Sequence, residues 1–240
     1  MIASLLFGIV FSAFTLVFFV IFCVAFVVTA PFDKNRTVMH RLSWVWTHAY
    51  FFFVPTWRVE VEGLENVDRR QTYVVVVNHR SMIDIITMYV LPLEFKWVAK
   101  KEVYRWPIIG WVMHMHGDVG IERGSAAGAK KMMADGERWL SRGVSLIVFP
   151  EGSRGKTSGV GRFREGAFAL AKHAGVAVLP CVMAGTDTGL KVWKLNLRNV
   201  YRVRVLEPVS AEEVARTDVK ELAHRVQEWV AAEYGEIKIK

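Results

Sequence analysis

The chain reads as a layered α/β domain, a central sheet flanked by helices, preceded by an N-terminal pair of membrane helices. Three observations predict this. Short apolar strand-like runs alternate with helical stretches from about residue 73 onward. Two glycine-rich stretches, Gly117–Gly124 and Gly152–Gly161, follow strand-like runs directly, where loops can bring backbone close to a ligand. No residue before Asp33 is charged.

The division that follows is a membrane-anchoring helical segment over residues 1–57 and a catalytic domain over residues 58–240. Ile2 to Ala30 is apolar or small throughout. As a helix it is about 43 Å long, more than the roughly 30 Å hydrocarbon core of a bilayer. No Lys or Arg opens the segment, so it reads as a retained anchor rather than a secretory signal. Leu42 to Trp57 also lacks charges and holds Trp44, Trp46, Tyr50, Phe51, Phe52, Phe53 and Trp57. That density of amphipathic rings suits the headgroup boundary, as an interfacial helix or half of a helical hairpin.

Strands are expected at Tyr73–Val77, Phe95–Ala99, Val119–Ile121, Ser145–Phe149, Ala177–Val182 and Tyr201–Val205. Helices are expected at about Ile83–Leu91, Ser125–Ser141, Glu165–Ala174 and Ala211–Tyr234. Ser125 can cap its helix and Gly143 can end it. His114 and His116 alternate with Met113 and Met115, which would place both histidines on one side of a strand. No further ligands accompany them, so they are not read as a metal site.

The net charge is +8, and Lys34, Arg36 and Arg41 closely follow the first apolar segment. Positive flanks stay cytoplasmic, which places the catalytic domain on that face. No nucleic-acid module is present, and an anionic membrane surface with phosphate-bearing substrates accounts for the charge. Cys23 and Cys181 read as buried thiols. Gly155-Lys-Thr157 is not a nucleotide loop, because Pro150 stands where such a loop needs glycine.

The chemistry concentrates at Asn78-His-Arg-Ser-Met-Ile-Asp84, directly after the run Tyr73–Val77. A histidine just past a buried strand sits where open α/β sheets place their chemistry. An aspartate five residues on can return to the ring, fix its tautomer and raise the basicity of the other nitrogen. No Gly-x-Ser-x-Gly elbow supports a serine nucleophile. Asn78 or nearby backbone N–H groups are candidates to hold an oxyanion.

Farther on come Gly117-Asp-Val-Gly-Ile-Glu-Arg123, Phe149-Pro-Glu-Gly-Ser-Arg154 and Val178-Leu-Pro180. With the His79 motif, their order and spacing resemble the four motifs of the glycerolipid acyltransferases, and most of all the bacterial lysophosphatidic acid acyltransferase type. The resemblance covers roughly Val61 to Val205. Gly120 stands where the second motif usually has a bulky apolar residue, and Ser153 replaces the usual Thr.

The resemblance implies a glycerolipid-acyltransferase-type fold and acyl transfer from acyl-CoA or acyl carrier protein to the sn-2 hydroxyl of lysophosphatidic acid, giving phosphatidic acid. It implies no cofactor and no metal. His79 would be the base and Asp84 its partner. Arg123 and Arg154 would bind the acceptor phosphate, since a guanidinium fork suits phosphate. Lys100 is a further candidate. Glu151 would orient an arginine or the acceptor hydroxyls, Ser153 keeps the hydroxyl of its motif, and Gly152 lets the chain approach the ligand. Membrane lipids are the expected surroundings, in a bacterial inner membrane. Another lyso-acceptor (a lyso-ornithine lipid, a lysophospholipid, a lipid A precursor) or a non-catalytic lipid-binding protein are the alternatives.

Overall fold

The computed structural model describes residues 2–54, 56–122, 124–154, 159–186 and 199–239. The first helix, α1, runs Ile2–Thr29. Its portion Gly8–Thr29 has 22 residues, a mean hydropathy of 2.8 and only 6% of its hydrophobic window buried. Among the described residues it is the one helix long and apolar enough to cross a membrane.

The Asp33 carboxylate accepts hydrogen bonds from the Thr37 and Val38 amides, each at 2.9 Å. It thereby satisfies N–H groups that the start of a helix leaves unpaired. That helix, α2 (Thr37–Phe53), turns back along α1. Phe11 meets Tyr50 edge-on at 4.2 Å, and Phe14 meets Phe53 at 5.1 Å. The aromatic segment is therefore helical only as far as Phe53. Val54 precedes a proline and has left the helical region at φ −127°, as that position favours.

Trp57 instead begins a strand, β1 (Trp57–Glu62). Next come β2 (Tyr73–Val77), α3 (Ile83–Thr87), β3 (Phe95–Lys100), α4 (Ile109–His116) and β4 (Val119–Ile121). The chain continues through α5 (Ala126–Leu140), β5 (Ser145–Val148), α6 (Gly166–Ala174) and β6 (Ala177–Ala184). It ends with β7 (Asn199–Val205), α7 (Ala211–Arg216) and α8 (Val219–Ile239).

The seven strands form one sheet in the order β1-β7-β6-β2-β5-β3-β4. All neighbours are parallel except β6 and β7. Every residue of β2 is buried, as expected of a central strand covered on both faces. Val74, Val76, Leu146 and Val178 face a core with Met132 of α5, Leu170 of α6 and Val226 of α8. Tyr73, Val75, Val77, Ile147 and Leu179 face the opposite core with Met88, Tyr89 and Leu91. The hairpin α1–α2 lies on this second side, where Tyr50 packs with Ile83 and Ile86.

Four expectations change in detail. The helix expected to Leu91 is α-helical to Thr87 and tightens into a 3₁₀ turn at Met88–Val90. The last expected helix is two helices, because Asp218 accepts from the Lys220 and Glu221 amides at 2.9 and 3.1 Å and starts α8 afresh. The strand expected at Met113–His116 is the end of α4, closed by Gly117 at φ +84°. Residues two apart on a helix diverge, so His114 meets the Tyr104 ring while His116 turns to Asp118. The sequence reading also lacks β1. Its outer face carries Glu60 and Glu62, which pair with Arg202 and Arg204 of β7 at 2.9 and 2.7 Å.

Candidate active site

The site is built at the carboxyl ends of the parallel strands β2, β5 and β3, which lie side by side. Asn78 follows β2 and is fully buried. Its Nδ2 donates to the Met183 carbonyl at 2.8 Å and its Oδ1 accepts from the Met183 amide at 2.8 Å. The side chain thus extends the β2–β6 ladder by one rung. One N–H of its amide is engaged in the sheet, and Asn78 and the backbone N–H groups beside it are the oxyanion candidates.

His79 is the first side chain to leave the sheet, with 14% of it exposed. Its Nδ1 lies 2.7 Å from Oδ2 of Asp84 in α3. Asp84 is fully buried, and the same oxygen accepts from the Arg80 amide at 2.6 Å and the Ser81 amide at 2.8 Å. A carboxylate can only accept, so Nδ1 carries the proton and Nε2 presents its lone pair. The backbone bonds fix the carboxylate, and the carboxylate fixes the ring.

The ring is also clamped from its face. Phe149, after β5, stacks on His79 with centroids 3.9 Å apart and planes 16° apart. Trp97 of β3 stacks on Phe149 at 5.5 Å. Three adjacent strands therefore contribute one column of rings. Trp97 also walls an apolar cavity of about 120 Å³ between α1, α2, α4 and the sheet, with Phe18, Phe22, Trp46 and Ile85.

Glu151 is nearly buried, and its two oxygens accept from the His79 and Gly161 amides, each at 2.9 Å. Both oxygens thereby tie the loop after β5 to the backbone of the histidine. Gly152 adopts φ +76°, a conformation costly for any other residue. Ser153 and Arg154 follow it, exposed. Lys100 ends β3, is half-exposed, and lies 3.5 Å from Glu102. Arg123 lies outside the described residues. Where the second motif usually has a bulky side chain, the Tyr104 ring lies 3.4 Å from where a Cβ on Gly120 would be.

The structure thus brings His79, Asp84, Glu151 and Gly152 into one bonded unit, with Ser153 and Arg154 on the adjoining loop. The ring column, the Asn78 bridge and the Arg80 guanidinium, which donates to the Gly159 carbonyl at 3.3 Å, were not foreseen. In the sequence Trp97 is only part of the expected strand Phe95–Ala99, and Phe149 is the first residue of its motif.

The acyltransferase family model matches residues 58–184, more than half of the chain. The chain belongs to the acyltransferase family. The matched stretch of this acyltransferase runs from β1 to the end of β6 and holds the whole His79 unit. Among curated relatives, a chloroplastic 1-acyl-sn-glycerol-3-phosphate acyltransferase of Arabidopsis thaliana is 34% identical over 73% of this chain and 49% of its own length. The 1-acyl-sn-glycerol-3-phosphate acyltransferase alpha of Mus musculus is 32% identical over 88% of this chain and 74% of its own. The acyltransferase spans about half the length of the chloroplastic relatives it matches. The crystal structure of the 1-acyl-sn-glycerophosphate (LPA) acyltransferase PlsC from Thermotoga maritima superposes with a TM-score of 0.78, at 24% identity, covering 100% of this chain and 98% of that one. The two share a fold from end to end.

Proposed function

We propose that this acyltransferase transfers an acyl chain from a thioester donor, acyl-CoA or acyl carrier protein, to the sn-2 hydroxyl of lysophosphatidic acid, giving phosphatidic acid. The observation that carries the reading is the open Nε2 of an imidazole whose Nδ1 is held at 2.7 Å by a buried aspartate. The relatives' names favour this acceptor over other lyso-lipids.

In the proposed reaction Nε2 takes the acceptor hydroxyl proton as the oxygen attacks the thioester carbonyl. Backbone N–H groups stabilise the tetrahedral oxyanion. The C–S bond then breaks, and the proton leaves Nε2 for the departing thiolate. No covalent enzyme intermediate and no cofactor is required. Asp84 balances the charge of the imidazolium while it exists. Arg154 and Arg123 hold the acceptor phosphate, with Lys100 beside them at the end of β3. Gly152 and Ser153 shape the loop that carries Arg154.

We place α1 in the membrane, since its apolar side chains are exposed along most of its length. The cluster Lys34, Arg36 and Arg41 favours the cytoplasmic side of a bacterial inner membrane for the catalytic edge. An acceptor with a long chain leaves a bilayer reluctantly, at roughly 0.8 kcal/mol per CH₂. Anchoring brings the site to it.

The test is transfer by the full chain in detergent or vesicles, with a panel of lyso-acceptors and both donors. Phosphatidic acid formation from lysophosphatidic acid is expected. Turnover confined to a different acceptor, or no turnover with any, overturns the reading.

A further inference from the structure

Beyond the Glu-Gly-Ser-Arg motif, Arg162-Phe-Arg-Glu165 lies just ahead of α6. Arg164 there is held against the site from two directions. Its amide donates to the Pro150 carbonyl at 2.9 Å, which ties it to the loop bearing Glu151. Its side chain lies directly across Gly152. A Cβ at position 152 would sit 2.8 Å from Arg164 Nε, 3.1 Å from Cζ and 3.3 Å from Cδ. The glycine of the Glu-Gly-Ser-Arg motif is therefore the seat on which this guanidinium rests.

The seated cation is exposed and forms no ion pair among the described residues. Glu151, the buried carboxylate of the same loop, has its two oxygens on the His79 and Gly161 amides. Beneath the guanidinium is an apolar cavity of about 80 Å³, lined by Val148, Phe149, Pro150 and Leu170. Phe149 is the ring stacked on His79. A positive charge at the mouth of an apolar cavity that shares a wall with the base matches a ligand with an anionic head beside an apolar body.

We infer that Arg164 is a headgroup-binding residue, in contact with the phosphate monoester of the acceptor. It acts as a second fork beside Arg154, farther along the chain from the same Gly152. This assignment rests on the acceptor proposed above. A planar guanidinium fork suits a phosphate better than a point charge does.

The experiment compares the wild-type chain with Arg164→Gln and Arg164→Lys, both of which keep a stem over Gly152. Apparent KM for lysophosphatidic acid, KM for the donor, and kcat are measured, with monoacylglycerol as the phosphate-free acceptor and thermal melting as the fold control. Arg164→Gln is expected to raise the acceptor KM about tenfold or more, as loss of a charge-assisted contact does. Donor KM should stay within about twofold, and the defect should vanish with monoacylglycerol. Arg164→Lys should recover part of the loss. An unchanged acceptor KM in a folded Arg164→Gln protein overturns the assignment, as does a rise in donor KM alone. An equal loss with monoacylglycerol also overturns it. These outcomes are separate from failure of the functional reading, in which the wild type itself would not use lysophosphatidic acid.

Discussion

Two histidines of this chain hold an aspartate through Nδ1 in nearly the same way, His79 with Asp84 at 2.7 Å and His116 with Asp118 at 2.6 Å. Their surroundings differ. His79 leaves the sheet at the carboxyl end of β2, and its Nε2 faces the opening. His116 ends α4 and is buried beneath α2, with the His40 ring 5.7 Å away and Lys96 buried close by. Burial pushes the His116 pKa down and outweighs the Asp118 charge that raises it. Asp118 also accepts from the Trp97 amide at 2.9 Å, so this pair fastens the turn after α4 to β3. The Trp97 ring is part of the column that supports His79. A histidine–carboxylate bond is thus not by itself a catalytic device. One pair offers a lone pair to a substrate; the other holds the wall against which the first is stacked.

The sharpest way to break the comparison is to remove each imidazole. His79→Ala should lower kcat about a hundredfold to ten-thousandfold and leave the melting temperature nearly unchanged. Residual activity above roughly a tenth of wild type would exclude direct base catalysis. Asp84→Asn should also be severe, because Asn can donate to Nδ1 and so favour the wrong tautomer.

The second pair should answer in stability. Asp118→Asn removes a charge-assisted bond to His116 and weakens the hold on the Trp97 amide, at a cost of about 1.5–3 kcal/mol. Chemical denaturation in detergent measures it. Its kcat should fall far less than that of His79→Ala. The reverse ranking, intact stability with lost turnover, would make His116 and Asp118 part of the chemistry.

This contrast explains what was legible in the sequence. His79 and Asp84 were legible because the device is local, a buried apolar strand followed by His-x4-Asp at the strand exit. The interior strands β2, β5 and β6 were legible for the same reason, being largely apolar runs. His116-x-Asp118 was not, because Met-His-Met-His mimics the alternation of a strand, and only tertiary burial under α2 makes it a helix end. β1 was obscured because its alternate residues are charged and are satisfied by β7, far away in sequence. The bonds of Glu151 to the His79 and Gly161 amides were not legible, because backbone partners leave no trace in side-chain identity. Arg164 did not stand out in the sequence, since its seat on Gly152 exists only after folding.

The smallest expected effect separates the pairs by pH. The folded pKa of His116 lies below its ordinary 6.5, so below about pH 6.5 the unfolded chain binds a proton that the folded chain refuses. Stability from this group is present above that pH and is lost as pH falls, by at most about 1.4 kcal/mol per unit. Lys96, pulled down to about 8 by burial, is protonated in both states below pH 6.5 and adds no slope there. His116→Gln keeps a donor toward Asp118 and does not titrate. At pH 8 the wild type should be the more stable protein, and its advantage over His116→Gln should shrink steadily from pH 6.5 to pH 5. Denaturation midpoints at matched slopes measure this difference, in which the carboxylates and His40 are common to both proteins. A wild-type advantage that stays constant from pH 8 to pH 5 would mean His116 takes up its proton equally well when folded. The two pairs would then no longer be set apart by burial.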